Sequence, residues 1–288
     1  MDVSIIIVNY NTKQLLADCL ATVFEKTKDV AFEVIVVDNA STDGSEEYIK
    51  EHYPCVKWIN SGENLGFGRA NNLGAKYASG KYLFLLNSDT LLLNNAIRIF
   101  FDYAESHQHE GIGTLGSWLL DKNEKPNNSF GFFPCPKNEI GYLLGKYQLP
   151  SLSDITEEKE VDYITGADLF IEKRLFDKLD GFDKNIFMYY EETDLQYRLA
   201  QRGLSRKIIP GPRIIHLEGG SFENKGLSLK RFLMAQTSYN YYLRKNFHGL
   251  NYFFNRVMLC LIRLTLFITT KWTVSEKIKA YYLVLSGK

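Results

Sequence analysis

Short apolar runs alternate with amphipathic stretches along the first hundred residues. Three runs have the length and the β-branched or large apolar content of buried strands, at residues 3–8, 33–37 and 82–86. Between and after them, apolar residues recur at helical spacing over residues 15–24, 67–78 and 97–104. Strands that alternate with helices predict βαβ units and therefore a mostly parallel α/β sheet with flanking helices.

The second half of the chain has a less regular pattern. Residues 126–136 are rich in Asn, Pro and Gly and predict a loop, and the polar, acidic residues 149–160 predict a mobile segment. Strand-like order returns at residues 162–173 and 206–216. After about Lys225 the sequence becomes helical, aromatic and basic, which predicts a helical appendage over residues 226–288.

Composition narrows the class of protein. With 288 residues, 45% apolar and 24% charged, the chain can form one large α/β domain and an appendage. The 34 basic and 34 acidic residues give zero formal charge, so we expect no nucleic-acid partner. None of the four cysteines forms a CxxC pair, which favours a reducing compartment. The N-terminus lacks the basic leader of a signal peptide and predicts a core strand.

Polar residues follow two of the predicted strands, where ligands bind in a parallel sheet. Asp38 follows the second strand and has a carboxylate for a base or ribose, although Ser41 and Thr42 after it also suit a turn and a helix cap. Asn87-Ser88-Asp89 ends the third. The Asp89 carboxylate suits Mg²⁺ or Mn²⁺, and the alternative is an Asx turn.

A glycine-containing segment lies between these two strands. Asn64 and Gly66 precede the predicted helix and Gly68 opens it, so the backbone here can approach a ligand closely. Arg69 either faces the phosphates or base of that ligand or is a solvated surface cation.

Adjacent carboxylates open a later predicted helix. Glu191 and Glu192 follow an aromatic run and can supply a general base, although acids at a helix start are also expected from the helix dipole. Asp194 and Arg198 have the i,i+4 spacing of an ion pair. His216 ends the strand-like run 206–216, and a lone histidine there is either structural or a ligand.

Taken in order, these segments resemble family 2 glycosyltransferases of the GT-A fold, and most nearly the bacterial rhamnosyltransferase-like branch. The resemblance extends from Val3 to about Ser221. It is carried by VSIIIVNYN, VIVVDNASTDGS, ENLGFGRANN, YLFLLNSD, ITGADLF, GFDKNIFMYYEETDLQYRL and IIHLEGGS. It implies a catalytic domain over residues 1–225, with a nucleotide-binding half (1–110) and an acceptor-side half (111–225).

The resemblance also implies a role for each matching residue. Glu192 is the catalytic base beside Glu191, although the family usually has Asp at this position. Asp89 and His216 bind Mg²⁺ or Mn²⁺. The nucleotide-binding residues are Asn9, Asp38, Asn64, Gly66, Arg69 and Asn87, and the acceptor-side residues are Gly166, Ala167 and Asp168.

These roles imply an inverting glycosyltransferase in cell-surface polysaccharide synthesis. The donor is a dTDP- or UDP-linked sugar, and the acceptor is a saccharide or a lipid-linked saccharide. A non-catalytic sugar-nucleotide or polysaccharide-binding module on the same fold is the alternative. A nucleotidyltransferase is disfavoured because the loop Asn9-Tyr10-Asn11-Thr12 after the first strand contains no glycine.

The C-terminal region predicts a membrane-surface helix over residues 251–270. Arg256 and Arg263 interrupt its apolar run, and each arginine is costly near a bilayer centre. We expect both to reach lipid phosphates while the apolar side chains enter the acyl boundary, on the cytoplasmic face of the membrane. The alternative is a helical hairpin that packs on the catalytic domain or on the partner in a homodimer.

Overall fold

The computed structural model describes residues 1–146, 154–217 and 228–288. The strands within these residues are β1 (Val3–Asn9), β2 (Phe32–Asp38), β3 (Lys57–Asn60), β4 (Tyr82–Asn87), β5 (Thr90–Leu92), β6 (Ile112–Leu120), β7 (Phe130–Gly131), β8 (Lys159–Glu160), β9 (Tyr163–Ile164), β10 (Asp168–Glu172) and β11 (Ser205–His216). The helices are α1 (Lys13–Lys26), α2 (Ser45–His52), α3 (Phe67–Lys76), α4 (Ala96–Ser106), α5 (Pro136–Leu143), α6 (Lys173–Lys178), α7 (Glu191–Ala200), α8 (Leu229–Asn246), α9 (Gly249–Arg263), α10 (Leu266–Thr269) and α11 (Val274–Ser286).

One mixed sheet organises the catalytic part of the chain. Its strand order is β3-β2-β1-β4-β10-β6-β11-β5, and β8 also pairs with β11. The first four strands in this order are mutually parallel, as predicted. β10 lies antiparallel between β4 and β6, and β5 is antiparallel to β11. Because the sheet continues across residue 110, the two predicted halves share one sheet.

The apolar runs of the first strands are continuous because both faces of the sheet are covered. On β1, Ile5 and Ile7 belong to one core cluster and Ile6 belongs to the other. α1 and α4 contribute to the first cluster, and α3 and α7 contribute to the second. A parallel strand buried on both faces loses the polar alternation of a half-buried strand.

The irregular middle of the chain contains more structure than the sequence predicts. The predicted loop 126–136 includes β7, which pairs with β9, and its last residue, Pro136, begins α5. Of the segment 149–160, residues 149–153 lie outside the described residues, and the rest forms a 3-10 turn at Asp154–Thr156 followed by β8. The predicted strand at 206–216 is confirmed as β11.

The C-terminal region is helical, as predicted, and has a core of its own. Phe232, Tyr239 and Tyr242 of α8 pack with Leu259 of α9 and Val284 of α11. The predicted boundary at residues 225 and 226 lies outside the described residues. By length and composition alone, Gly249–Thr269 is long and apolar enough to be a candidate membrane span.

A buried ionic network attaches α8 to α7. The predicted pair is present, with Arg198 Nε 2.9 Å from Asp194 Oδ2. Lys245 Nζ from the end of α8 lies 2.7 Å from Asp194 Oδ1 and 2.7 Å from Asp183 Oδ2. Since the Asp194 side chain is fully buried, its charge depends on both cations.

Asp194→Asn is expected to lower the free energy of unfolding by about 3–5 kcal/mol, because Lys245 and Arg198 then lose a buried partner. Urea denaturation of the purified chain measures the change. The matched control is Asp177→Asn, which removes an exposed i,i+4 partner of Lys173 and should cost about 0–1 kcal/mol. Equal midpoints for the two variants would contradict a stabilising role for the network.

Candidate active site

The predicted ligand-binding edge of the sheet is present. β1, β2 and β4 end side by side at Asn9, Asp38 and Asn87, with Asn9 in register with Asp38 and Val8 in register with Asn87. The sequence places these residues far apart, and the parallel pairing brings them to one edge. This edge is where bound ligands lie in open α/β sheets.

Hydrogen bonds from Asn9 close the loops after β1 and β2 against each other. Asn9 is fully buried, and its Nδ2 donates to Asp38 Oδ1 and to Ser45 Oγ, both at 2.8 Å. Thr12 Oγ1 donates to Asn9 Oδ1 at 2.8 Å. Asp38 Oδ2 accepts from the Ser41 backbone N–H at 3.0 Å. Contacts of Asn9 and Asp38 with a donor base or ribose stay predictions. Asn9 could make such a contact only if the ligand replaced one of its present hydrogen-bond partners.

Asn87 joins the end of β4 to the neighbouring elements. Its backbone N–H donates to the Ala167 carbonyl at 2.9 Å, and its carbonyl accepts from Thr90 Oγ1 at 2.7 Å. Its side-chain Nδ2 lies 3.4 Å from His216 Nε2. The Asn87-Ser88-Asp89 turn is therefore held from both sides.

Asp89 and His216 meet at this turn. Asp89 Oδ1 lies 3.3 Å from His216 Nε2, and the two side chains are 12% and 15% exposed. The pairing of β5 with β11 brings them together, because His216 is opposite Thr90 in that ladder. Among the described residues no group of three or more His, Cys, Asp or Glu side chains is arranged to hold a metal ion.

The pair nevertheless has the chemistry of a divalent-cation site. One carboxylate oxygen and one imidazole nitrogen converge on a partly open turn. Mg²⁺ in particular is usually bound through one or two carboxylates, with waters and substrate phosphates completing its coordination. Two protein ligands therefore fit a cation that is shared with a diphosphate.

The glycine-containing loop before α3 packs against another part of the protein. Gly66 has a φ of +79°, and a Cβ at this position would lie 1.9 Å from the Phe187 carbonyl oxygen. Asn39, which is not among the site residues that the sequence predicts, fixes the loop, since its Nδ2 donates to Gly66 O at 3.2 Å. Asn64 Oδ1 accepts from the Gly66 N–H at 3.0 Å. The loop before α3 is thus packed directly against the segment that leads to Glu191 and Glu192.

Arg69 lies apart from the strand edge. Its Nε donates to the Leu65 carbonyl at 2.7 Å, and its side chain lines a cavity of about 710 Å³ beside α3. Phe182, Arg198 and Lys245 also line this cavity. Asn9, Asp38, Asp89 and His216 do not line it. The structure therefore does not bring Arg69 together with the predicted metal-binding pair.

The two glutamates begin α7 directly after a strained turn. Tyr189 and Tyr190 have φ values of 68° and 67°, in the left-handed region that bulky residues avoid. Two contacts from α8 hold this segment, since Ser238 Oγ donates to the Met188 carbonyl at 2.8 Å and Tyr239 packs edge-on against Tyr190. α8 thus helps to place the start of α7.

The two glutamates have different surroundings. Glu191 is 4% exposed, and its Oε2 has no hydrogen-bond partner among the described residues. Glu192 is half-buried and faces the β10 side, where a Cβ built on Gly166 would lie 4.0 Å from Glu192 Cβ. Of the two, Glu192 is the more exposed side chain and the one beside Gly166.

Burial raises the pKa of both carboxyls. Desolvation raises the pKa of Glu191 well above its ordinary value, and the charge of Glu192 raises it further. Desolvation raises the pKa of Glu192 to about 7, against hydrogen bonds from backbone N–H groups at the helix start that lower it. Carboxyls with raised pKa values are common among catalytic acids and bases.

Asp168 is a core residue beside this site. Its side chain is fully buried, and its Oδ2 accepts from the Ser117 backbone N–H at 2.7 Å. Burial raises the pKa of Asp168 to about 7. The acceptor-side role of Asp168 stays a prediction, and in this arrangement its buried side chain would act through its neighbours rather than by direct contact. Gly166 and Ala167, just before it, form the part of this segment nearest to Asn87 and Glu192.

The mixed sheet and its flanking helices have the GT-A fold. Residues 4–138 match the family described as glycosyl transferase family 2, so the chain contains a family 2 glycosyltransferase domain. The predicted family and fold are both confirmed.

Two proteins that are named as rhamnosyltransferases are similar to this chain in sequence. The chain is 26% identical over 254 residues to rhamnosyltransferase WbbL of Escherichia coli, which covers 84% of this chain and 93% of WbbL. It is also 26% identical over 208 residues to N-acetylglucosaminyl-diphospho-decaprenol L-rhamnosyltransferase of Mycobacterium tuberculosis, covering 64% of this chain and 66% of that protein.

A solved structure supports the fold alone. The mannosyltransferase PcManGT of Pyrobaculum calidifontis, in complex with GDP-Man and Mn²⁺, superposes with a TM-score of 0.60 at 13% identity. The match covers 99% of this chain and 85% of PcManGT.

Proposed function

We propose that the chain transfers a sugar from a nucleoside diphosphate to an acceptor hydroxyl with inversion at the anomeric carbon. The observation that carries this proposal is the placement of Glu192. It lies beside Gly166, while its neighbour Glu191 is buried, and burial raises the pKa of Glu191 well above its ordinary value. A non-catalytic binding module would have no need for a carboxylate placed in this way.

In the proposed step, Glu192 accepts the proton of the acceptor hydroxyl. The acceptor oxygen forms the new bond to the anomeric carbon as the bond from that carbon to the diphosphate oxygen breaks. The nucleoside diphosphate leaves with the bonding electron pair. General-base assistance of this kind contributes about 10²–10⁴-fold to a rate.

We propose that Asp89 and His216 hold Mg²⁺ or Mn²⁺ together with the donor diphosphate. The 3.3 Å approach of Asp89 Oδ1 to His216 Nε2 supports this assignment. A bound divalent cation would supply neutralisation of the charge that develops on the departing diphosphate. Asn87 Nδ2 lies 3.4 Å from the same His216 Nε2, and a bound cation would replace this contact.

We propose that the donor nucleotide lies along the ends of β1, β2 and β4. Asp38 and Asn9 would contact the base and ribose, and Asn64, Gly66 and Asn87 would flank them. The named activities of WbbL and of the M. tuberculosis relative favour a dTDP-linked deoxyhexose, and a UDP-hexose is the other candidate.

We propose a saccharide on a polyprenyl diphosphate lipid as the acceptor, since the M. tuberculosis relative is named for such an acceptor. The product would then belong to a cell-surface polysaccharide. The four cysteines are free, which fits a cytoplasmic location.

The test is a panel of dTDP-, UDP- and GDP-sugars, with nucleoside diphosphate release measured in the presence and absence of Mn²⁺. We expect one base to be preferred and release to depend on Mn²⁺. Calorimetric titration with dTDP and UDP provides the control for binding. Donor binding without any release would support the binding module, and binding of no nucleotide would contradict the whole assignment.

A further inference from the structure

Most of the exposed large hydrophobic side chains in the described residues lie on the C-terminal helices. On α9 and α10 they form a stripe at spacings of three and four residues, so they share one side of the helix. The exposed fractions reach 56% at Leu261 and 88% at Ile268. The stripe is Leu250, Phe254, Val257, Leu261, Leu264 and Ile268.

This stripe is not the side by which α9 packs on the protein. Leu259, Ile262 and Leu266 are buried on the opposite side, against the core of the C-terminal helices. A helix that is apolar on both sides normally has a second partner. α11 shows the same feature, since Val274, Ile278 and Tyr282 are 58–71% exposed at four-residue spacing while Ala280 and Val284 are buried.

The charges around this apolar surface are almost all positive. No acidic residue occurs from Gly249 to Ser275. Lys271 and Lys279 are exposed, and the acid of α11, Glu276, is bonded to Thr273 in the capping box of that helix. Exposed lysines at the edge of an apolar surface match the anionic headgroups of a bilayer.

The contacts of Arg256 and Arg263 differ from the sequence prediction that both side chains reach lipid phosphates. Arg256 Nη1 donates to Asn240 Oδ1 at 2.9 Å, and its Nη2 donates to the Val284 carbonyl. Arg263 Nε donates to Gln236 Oε1 at 3.4 Å. Both arginines therefore bond inward to α8, and Arg256 also bonds to α11, in contrast to the outward direction that the sequence predicts. The lysines are the groups that can reach lipid phosphates.

These inward bonds also favour a surface position over a membrane span. α9 cannot leave α8 and α11 without breaking the bonds of Arg256 and Arg263. The exposed stripe can enter the headgroup boundary while these bonds remain.

The apolar surface continues toward the acceptor-side half of the sheet. α5 packs against α9, and it exposes Ile140 and Leu144. Its Glu139 Oε1 accepts from Tyr239 Oη at 2.8 Å, and Tyr239 packs against Tyr190 in the turn before Glu191. The exposed apolar side chains of α5, α9, α10 and α11, called here the apolar face, are thus connected to the catalytic turn by direct contacts.

We infer that the apolar face binds the surface of an anionic lipid bilayer. Its lysines contact the headgroups, and its apolar side chains enter the acyl boundary. This placement would bring the acceptor side of the active site to the headgroup level. That last step rests on the proposed lipid-linked acceptor, whereas lipid binding itself does not.

The test is co-sedimentation of the full chain with vesicles of equimolar phosphatidylglycerol and phosphatidylcholine. The variant combines Phe254→Glu, Leu261→Glu and Ile268→Glu. We expect the parent to bind and the variant to lose roughly a hundredfold or more in partitioning, because each change removes apolar burial and repels the anionic surface. The control is Tyr77→Glu, an exposed aromatic at the end of α3, which should bind like the parent.

Two further measurements distinguish lipid binding from a loss of catalysis and from dimer formation. Nucleoside diphosphate release from a donor without lipid should be equal in the parent and the triple variant, so a failure of the proposed catalysis is read separately from lipid binding. Light scattering reports the oligomeric state. Equal pelleting of parent and variant would overturn the inference, as would a parent that does not pellet and forms a dimer that the variant abolishes.

Discussion

Glu192→Gln is expected to lower the rate of sugar transfer by about 10²–10⁴-fold, because glutamine cannot accept the proton of the acceptor hydroxyl. Donor binding should be close to that of the parent, since the base contacts the acceptor and not the nucleotide. Initial rates of nucleoside diphosphate release with acceptor present, together with calorimetric donor binding, measure the two effects separately.

Glu191→Gln is the matched control. Glu191 is buried, and burial raises its pKa and so favours its neutral form. A neutral amide of the same shape should therefore preserve most of the activity. If Glu191 proves to be the essential residue instead, the base is assigned one position too late in the sequence.

The pH dependence follows from the same site. Burial raises the pKa of Glu192 to about 7, so below this pH the carboxyl is protonated and cannot act as a base. The rate should therefore rise with pH and level off above about 7. If the residual rate of the Glu192→Gln variant still rose with pH over the same range, the pH dependence would belong to another group.

The first half of the sheet is predictable because its signals are local. Strands β1, β2 and β4 are short apolar runs that helical patterns separate, and parallel pairing then places Asn9, Asp38 and Asn87 at one edge. Nothing beyond the order of these elements is needed to predict the convergence. The contacts of Asn39 can also be predicted from the sequence, because Asn39 directly follows Asp38 at the end of β2.

The second half is not predictable in this way, because its pairing is non-local. β6 contains Gly113 and Gly116, which are unfavourable in strands, and the sequence pattern did not predict it. Gly116 is required by contact with a distant residue, since a Cβ there would lie 2.3 Å from Ile164 Cγ2. Likewise, no local pattern places β10 antiparallel between β4 and β6.

The local chemistry of the loops was predicted less well than their location. Ser41 and Thr42 suit a helix cap, but α2 begins later, with Gly44 at the N-cap. The Asp194–Arg198 pair was predictable from spacing, whereas Lys245 reaches Asp194 from a helix about fifty residues further along the chain. Tertiary contacts of this kind decide which carboxylates are paired and which, like those of Glu191 and Glu192, are left with raised pKa values.

Asp89→Asn is expected to keep the fold and to lower metal-dependent transfer by on the order of 10³-fold, which corresponds to about 4 kcal/mol of lost charge stabilisation. The amide has the shape of the carboxylate, so the approach to His216 at the turn should persist while the anionic ligand is lost.

Electron paramagnetic resonance of free Mn²⁺, titrated with protein and nucleoside diphosphate, gives a second readout that does not depend on turnover. It should show weaker retention of Mn²⁺ by the Asp89→Asn variant than by the parent. The control is Asp18→Asn, an exposed carboxylate on α1, which should change neither Mn²⁺ retention nor rate. Parent-like turnover and Mn²⁺ dependence in Asp89→Asn would reject Asp89 as the metal ligand. Loss of turnover with full Mn²⁺ retention would instead place the essential role of Asp89 in holding the turn against His216.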